Sequence, residues 1–169
     1  MRHDAGGLLA LVAATVWLAW SLPAAAGCND PAGPEVDWRR CYHDGAELAG
    51  AKLAGASLRD ATFSRADLTG ADLRAADASR AKFLSTKLAR AKLEEARLTE
   101  ADFTRADLTA AVLVRADLSR ARFFRAILRA ADLSGATVRG TDFGGADLSG
   151  ATWTDGKRVC AEGSIGQCN

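Results

Sequence analysis

The chain has 169 residues, 49% of them apolar and 25% charged, and carries a formal net charge of +1. That length bounds it to one compact domain with short extensions. The near-neutral balance excludes an overall field strong enough to draw in nucleic acid or an acidic membrane surface.

Residues 1–27 read as a secretory signal peptide. Arg2 and His3 open it, Leu8 to Leu22 form an apolar run, and Ala24, Ala25 and Ala26 supply a small-x-small cleavage site before Gly27. The run is too short and too abruptly ended for a membrane span. It predicts an exported protein, periplasmic or extracellular. Membrane contact is expected only if this segment stays uncleaved or Cys28 is lipidated, and Ala25 stands where a lipoprotein signal usually has Leu.

Residues 28–45 form an N-terminal capping segment with the first irregular repeats. Residues 46–155 then hold 22 consecutive pentads. Each begins with a small residue, Ala in 20 cases and Thr at Thr86 and Thr141, and has an apolar residue two positions later. An α-helix would rotate about 140° per pentad and keep no constant face. A continuous strand fails as well, because five is odd and its inward side would flip at each repeat. The small-x-apolar step does fit strand alternation, so the other two residues must turn a corner. Gly50, Gly55, Gly70, Gly135, Gly140, Gly145 and Gly150 all fall in the last slot, where turn chemistry favours glycine.

The central slot reports the size of the coil. Phe63, Phe83, Phe103, Phe123 and Phe143 recur every 20 residues, which is four pentads. A four-sided coil stacks these rings as one structural column, with His43 below Phe63. Leu48 to Leu148 make an all-Leu column, and Leu53 to Leu133 make another that ends at Trp153. The slot before the central residue carries Asp67, Asp72 and Asp77, then Lys82, Lys87, Lys92 and Arg97, then Asp102, Asp107 and Asp117. Adjacent strands lie about 4.8 Å apart, so the 20-residue pitch predicts ladders of opposite charge such as Lys82–Asp102–Arg122–Asp142.

This pattern resembles the pentapeptide-repeat family, whose repeat is a small residue, a polar one, Leu or Phe, and two variable positions. The resemblance covers all of residues 46–155. It implies an all-β fold, a right-handed quadrilateral parallel β-helix with four pentapeptides per 20-residue coil.

Residues 156–169 form a C-terminal capping segment that contains cysteine and looks like the closing segment of exported family members. Cys28, Cys41, Cys160 and Cys168 follow the signal, and an even count in an exported chain points to disulfides. Of three connectivities, Cys28–Cys41 with Cys160–Cys168 is the simplest. Cross-pairing would have to span about six coils, roughly 29 Å. A metal site is the competing reading, against which the chain offers no CxxC and one mature histidine.

No catalytic constellation emerges. His43 lies in an inward register with no partner motif. The carboxylates occupy periodic outward slots, and no glycine-rich loop precedes a helix. The chain therefore reads as no enzyme, with no catalytic residue, cofactor, metal or small-molecule substrate. Some family members mimic duplex DNA and bind type II topoisomerases, an activity that needs a strongly acidic rod. Here residues 46–155 hold 17 Lys/Arg against 15 Asp/Glu, and export would remove the protein from that target. Nucleic acid is not an expected partner either.

One surface departs from the neutral pattern. Leu84 and Phe124 share an outward slot on the Phe side, with Arg105, Arg122 and Arg125 nearby. Aromatic and Arg residues on a flat face form an interaction signature. The sequence thus predicts an exported structural or protein-interaction scaffold, whose partner is another protein or a second copy. A topoisomerase-directed DNA mimic is the alternative.

Overall fold

Each pentad from residue 36 to residue 150 is closed by a turn whose third residue has positive φ. The computed structural model of the protein describes residues 27–169, so the predicted signal peptide lies outside the described residues apart from Gly27. The last pentad slot adopts φ between 66° and 70° at the seven array glycines. Non-glycine residues take the same conformation there, including Arg65 at 61°, Arg105 at 59° and Ala110 at 55°. Positive φ at that position is what a type II turn requires. The turn bond closes from the next small residue back to the central one, as from Ala61 N–H to the Leu58 carbonyl at 3.1 Å.

Between the turns the chain is extended just long enough for one bridge per pentad. The bridges are parallel and 20 residues apart, from Asp37↔Ser57 through Asp132↔Thr152. One coil is therefore four pentads, a solenoid. We refer to the four pentads of a coil as quarters, named by their axial columns: mixed (Trp38, Leu58, Ala78, Leu98, Leu118, Val138), Phe, Leu, and Leu–Trp. The small and central slots fill the axis, and from Leu53 to Leu133 every central residue is buried. Thr86 and Thr141 fit the small slot because each hydroxyl donates to a carbonyl of the preceding coil, Phe63 O at 2.7 Å and Leu118 O at 2.8 Å.

The aromatic column is longer than the sequence suggested. The five Phe rings stack with centroids 4.8 to 5.3 Å apart. His43 stacks on Phe63 at 5.4 Å, and Trp38 joins beneath it at 4.0 Å from the adjoining quarter. Trp153 closes the other end at 5.7 Å from Phe143.

The charge ladders are only half made, for a reason in the backbone. Lys87–Asp67 at 3.3 Å, Arg97–Asp77 at 3.6 Å and Arg122–Asp102 at 3.6 Å reach back one coil. No ion pair joins Lys82 to Asp102 or Arg122 to Asp142 among the described residues. The carboxylates have another task. Asp67, Asp102, Asp107, Asp117, Asp132 and Asp147 each accept the N–H two residues on, at 2.9 to 3.1 Å. That is the Asx turn, which Asp reaches at this range.

Both ends carry a cap. Cys28 and Cys41 are disulfide-bonded with Cα atoms 5.3 Å apart, as are Cys160 and Cys168 at 4.8 Å. The first bond draws the segment before residue 36 across the axis, where the Asp30 carbonyl accepts from Trp38 Nε1 at 3.2 Å. The second holds a segment that pairs antiparallel with the last coil through Asp147↔Ile165 and Thr152↔Val159.

The turn geometry makes a test. Gly70 has open space around its missing Cβ and φ of 66°, so Gly70→Ala isolates the conformational cost. It should lower unfolding free energy by about 1 kcal/mol, and Ala110→Gly should raise it by up to about 1 kcal/mol. Urea unfolding midpoints at constant slope check both signs.

Candidate interaction face

The filled axis leaves only the exterior for recognition. Two surface clefts, of about 460 and 320 Å³, lie along the corner between the mixed and Phe quarters. Arg39, Arg40, Arg59, Asp60 and Arg80 line the first. Their charges are largely matched: Arg80 grips Asp60 with two bonds of 2.8 Å, and Arg39 grips Asp37. The hydrogen bond from Arg80 holds the Asp60 carboxyl below its ordinary value. Arg120 pairs with Glu100 at 2.7 Å along the same corner. Exposed pairs of this kind contribute little stability, about 0.2–1 kcal/mol. Among the described residues no group of three or more His, Cys, Asp or Glu is placed to hold a metal ion.

The sequence-predicted face falls on the Phe quarter, and its members are not equivalent. Leu84 is half-buried, with Thr104 separating it from Phe124. Phe124 is 41% exposed. Its ring lies across Gly144, where an added Cβ would come within 3.3 Å of it. The Arg125 guanidinium sits 5.1 Å from the ring centroid, a cation–π contact. Arg122 leans back to Asp102, and Arg105 is exposed. The quarter carries Arg65, Lys82, Arg105, Arg122 and Arg125 against Asp44, Asp102 and Asp142. The geometry thus offers a flat, cationic strip with one aromatic plate near its C-terminal end.

Three exposed apolar residues escaped the sequence reading, Tyr42 and, in the C-terminal cap, Val159 and Ile165. Tyr42 is 82% exposed on the Phe quarter of the first coil, outside the regular array. Ile165 is 53% exposed in the C-terminal cap, where no periodicity could mark it. Ile127, 41% exposed, lies across the corner from Phe124.

The family model for pentapeptide repeats matches residues 44–83, 86–125 and 126–152, in eight copies. The chain is a pentapeptide-repeat protein. Its coil is accordingly a right-handed β-helix solenoid, the hand that parallel strand connections adopt. This pentapeptide-repeat chain is similar to QnrB1, a plasmid-mediated fluoroquinolone resistance protein, at 29% identity over 72% of this chain and 65% of that one, with a TM-score of 0.56. A pentapeptide-repeat protein from the Arabidopsis thaliana thylakoid lumen shares the fold at 24% identity, covering 72% of this chain and 82% of that one, with a TM-score of 0.51. HetL, involved in heterocyst differentiation regulation in the cyanobacterium Nostoc sp., is 34% identical over 73% of this chain and 68% of that one, with a TM-score of 0.44. No curated protein sequence matches this chain.

His43 sits as a ring in the aromatic column, between Trp38 and Phe63. Its Nε2 is buried without a hydrogen-bond partner, and burial holds its imidazole below the ordinary value of 6.5 against the opposing pull of Asp44. The unfolded chain therefore takes up a proton first on acidification. Stability is full above the unfolded value and falls as the pH drops below it. Urea midpoints should decline between about pH 7 and about pH 5, and His43→Phe should remove most of that slope. The depressed aspartates act only below this window.

Proposed function

We propose that this pentapeptide-repeat protein is an exported, non-enzymatic scaffold that binds another protein along its side. In this reading the four quarters are flat sides of a quadrilateral rod, since each coil makes four equivalent turns. The observation that carries it is the filled axis beneath an exposed aromatic plate, Phe124 with Arg125 over it. A rod packed through its centre has nothing to enclose a substrate, so its chemistry is that of surface recognition. Arg and aromatic residues are enriched at the energetic centres of protein interfaces.

Export rests on the residues of the N-terminal segment, Arg2, His3, the run to Leu22, and the alanines before Gly27. The two disulfides favour an oxidising compartment as well. The likeness to QnrB1, a fluoroquinolone resistance protein, favours a second reading, a DNA mimic directed at a topoisomerase. The mixed surface charge weighs against it, because a duplex mimic must present carboxylates along its whole length. A supercoiling assay separates the two, with no inhibition expected.

The side-face reading is tested by crosslinking the tagged protein in its own compartment, then repeating with Phe124→Ser. Loss of the crosslinked partner, with urea midpoints within about 1 kcal/mol of the parent, is the expected result for an exposed residue. A partner retained by the variant removes Phe124 from the interface.

A further inference from the structure

We propose that the corner between the Phe and Leu quarters is a docking site for an acidic segment of a partner protein. This rests on the scaffold reading above and names the chemistry of its partner. A rule of the array marks the place. Arg80, Arg115 and Arg120 occupy the last pentad slot, and each pairs with a carboxylate in that slot one coil back, Asp60, Glu95 and Glu100. Arg65, Arg105 and Arg125 occupy the same slot along the Phe–Leu corner. Behind them stand Gly45, Ser85 and Arg105, and none of the three joins an ion pair among the described residues. Arg105 and Arg125 are like charges on adjacent coils, about 4.8 Å apart along the axis, which costs stability. The chain supplies no anion to relieve them.

From residue 64 to residue 125 the two turn slots of this corner hold three arginines, Leu84, Phe124 and three hydroxyl residues, with no carboxylate. The nearest acids are committed elsewhere. Asp44, one coil before, accepts the Ser64 N–H at 2.8 Å, and Asp142, on the flat of the Phe quarter, accepts that of Gly144 at 2.8 Å. Asp102 is held by Arg122 at 3.6 Å. The apolar residues complete the site. Phe124 and Ile127, both exposed, stand on either side of Arg125 and belong to adjoining quarters. The exposed Ile165 continues the Ile127 line through the bridges Ile127↔Asp147 and Asp147↔Ile165. Asp147, between them, is taken by Arg129 at 2.5 Å.

These neighbours select the occupant. Arginines without a partner call for carboxylates, and the apolar pair astride the ridge calls for aliphatic or aromatic side chains among them. A bilayer or a glycan lying flat on one quarter would meet only one of the two apolar residues, whereas a polypeptide can bend round the corner. A second copy of this chain is short of anions. In the last slot of its array Asp60, Glu95, Glu100 and Asp155 are all in ion pairs already. Arg90, one corner further on, also joins no ion pair among the described residues, but Gly70, Ala89 and Ala110 beside it offer no large side chain.

The probe is a peptide of about ten residues alternating Glu and Leu, titrated into the labelled full chain at about 0.15 M salt and followed by NMR. The Nε–H signals of Arg65, Arg105 and Arg125 and the methyl signals of Ile127 should move, while Arg80, Arg115 and Arg120 stay in place. Arg105→Ser with Arg125→Ser should weaken the peptide roughly tenfold, the scale of one close charge pair. Arg80→Ser with Arg120→Ser, equal in charge, should leave its affinity unchanged. Urea midpoints at constant slope certify that both variants fold. Equal movement at the paired arginines, no movement at the ridge, or full affinity in the ridge variant overturns the proposal. So does an equal response to a Lys–Leu peptide, to polygalacturonate or to anionic vesicles, the last two giving the ridge to a glycan or a membrane. Because the probe is not the native partner, such a failure leaves the scaffold reading to its own crosslinking experiment.

Discussion

Everything in this molecule follows from a backbone that turns at every fifth residue. With φ held positive in the last slot, the small and central residues return to the axis four times per coil. The turn also assigns every amide in the pentad. The small residue's N–H closes the turn, and the next one bonds the coil before. The central and last residues bond the coil after. Only the fourth N–H is left over, and the Asp two residues earlier takes it in many pentads. A parallel ladder one bridge wide would be marginal alone. Stacked under a continuous axial core, it becomes the whole fold.

The same accounting explains which parts of the design were legible in the sequence. The columns could be read because burial forces periodicity: Phe63 to Phe143 recur without interruption, and a slip of one pentad would break every column at once. Charge pairing is one role of aspartate, made at Asp67, Asp77 and Asp102, and the bond to the backbone two residues on is a second that the sequence pattern does not mark. A carboxylate is both an anion and a hydrogen-bond acceptor, and the strict 20-residue alternation of sign drew attention to the first property. Local geometry favours the second, since the amide two residues on is always in reach while a Lys head must cross to the next coil. Lys82 illustrates the point, with Asp102 on the adjoining strand and no ion pair between them.

The ends and the surface were harder. Trp38 and Trp153 belong to other columns by count, yet both lean into the Phe column because no further coil occupies the space beyond it. Phe124 looked like a free aromatic. Its ring instead lies across Gly144, and that depends on a glycine 20 residues away whose significance is invisible without the register. Tyr42 holds an outward slot of the first coil, opposite Thr62, where the pentad dictates direction and not residue type, and Ile165 lies in the cap, where periodicity carries no information.

A solenoid that commits four of five amides to turn and ladder has almost no backbone to offer along its sides. Recognition there must come from side chains, which on this rod are short or paired with neighbours over most of the surface. The Phe124 and Arg125 pair is the local exception, and its weight depends on how fully a partner dries it. The ends obey a different rule, because the last coil has no successor and the C-terminal cap stands in for one at Leu148, Gly150 and Trp153. Backbone thus closes the end of this rod, and side chains are left to decide what can lie along it.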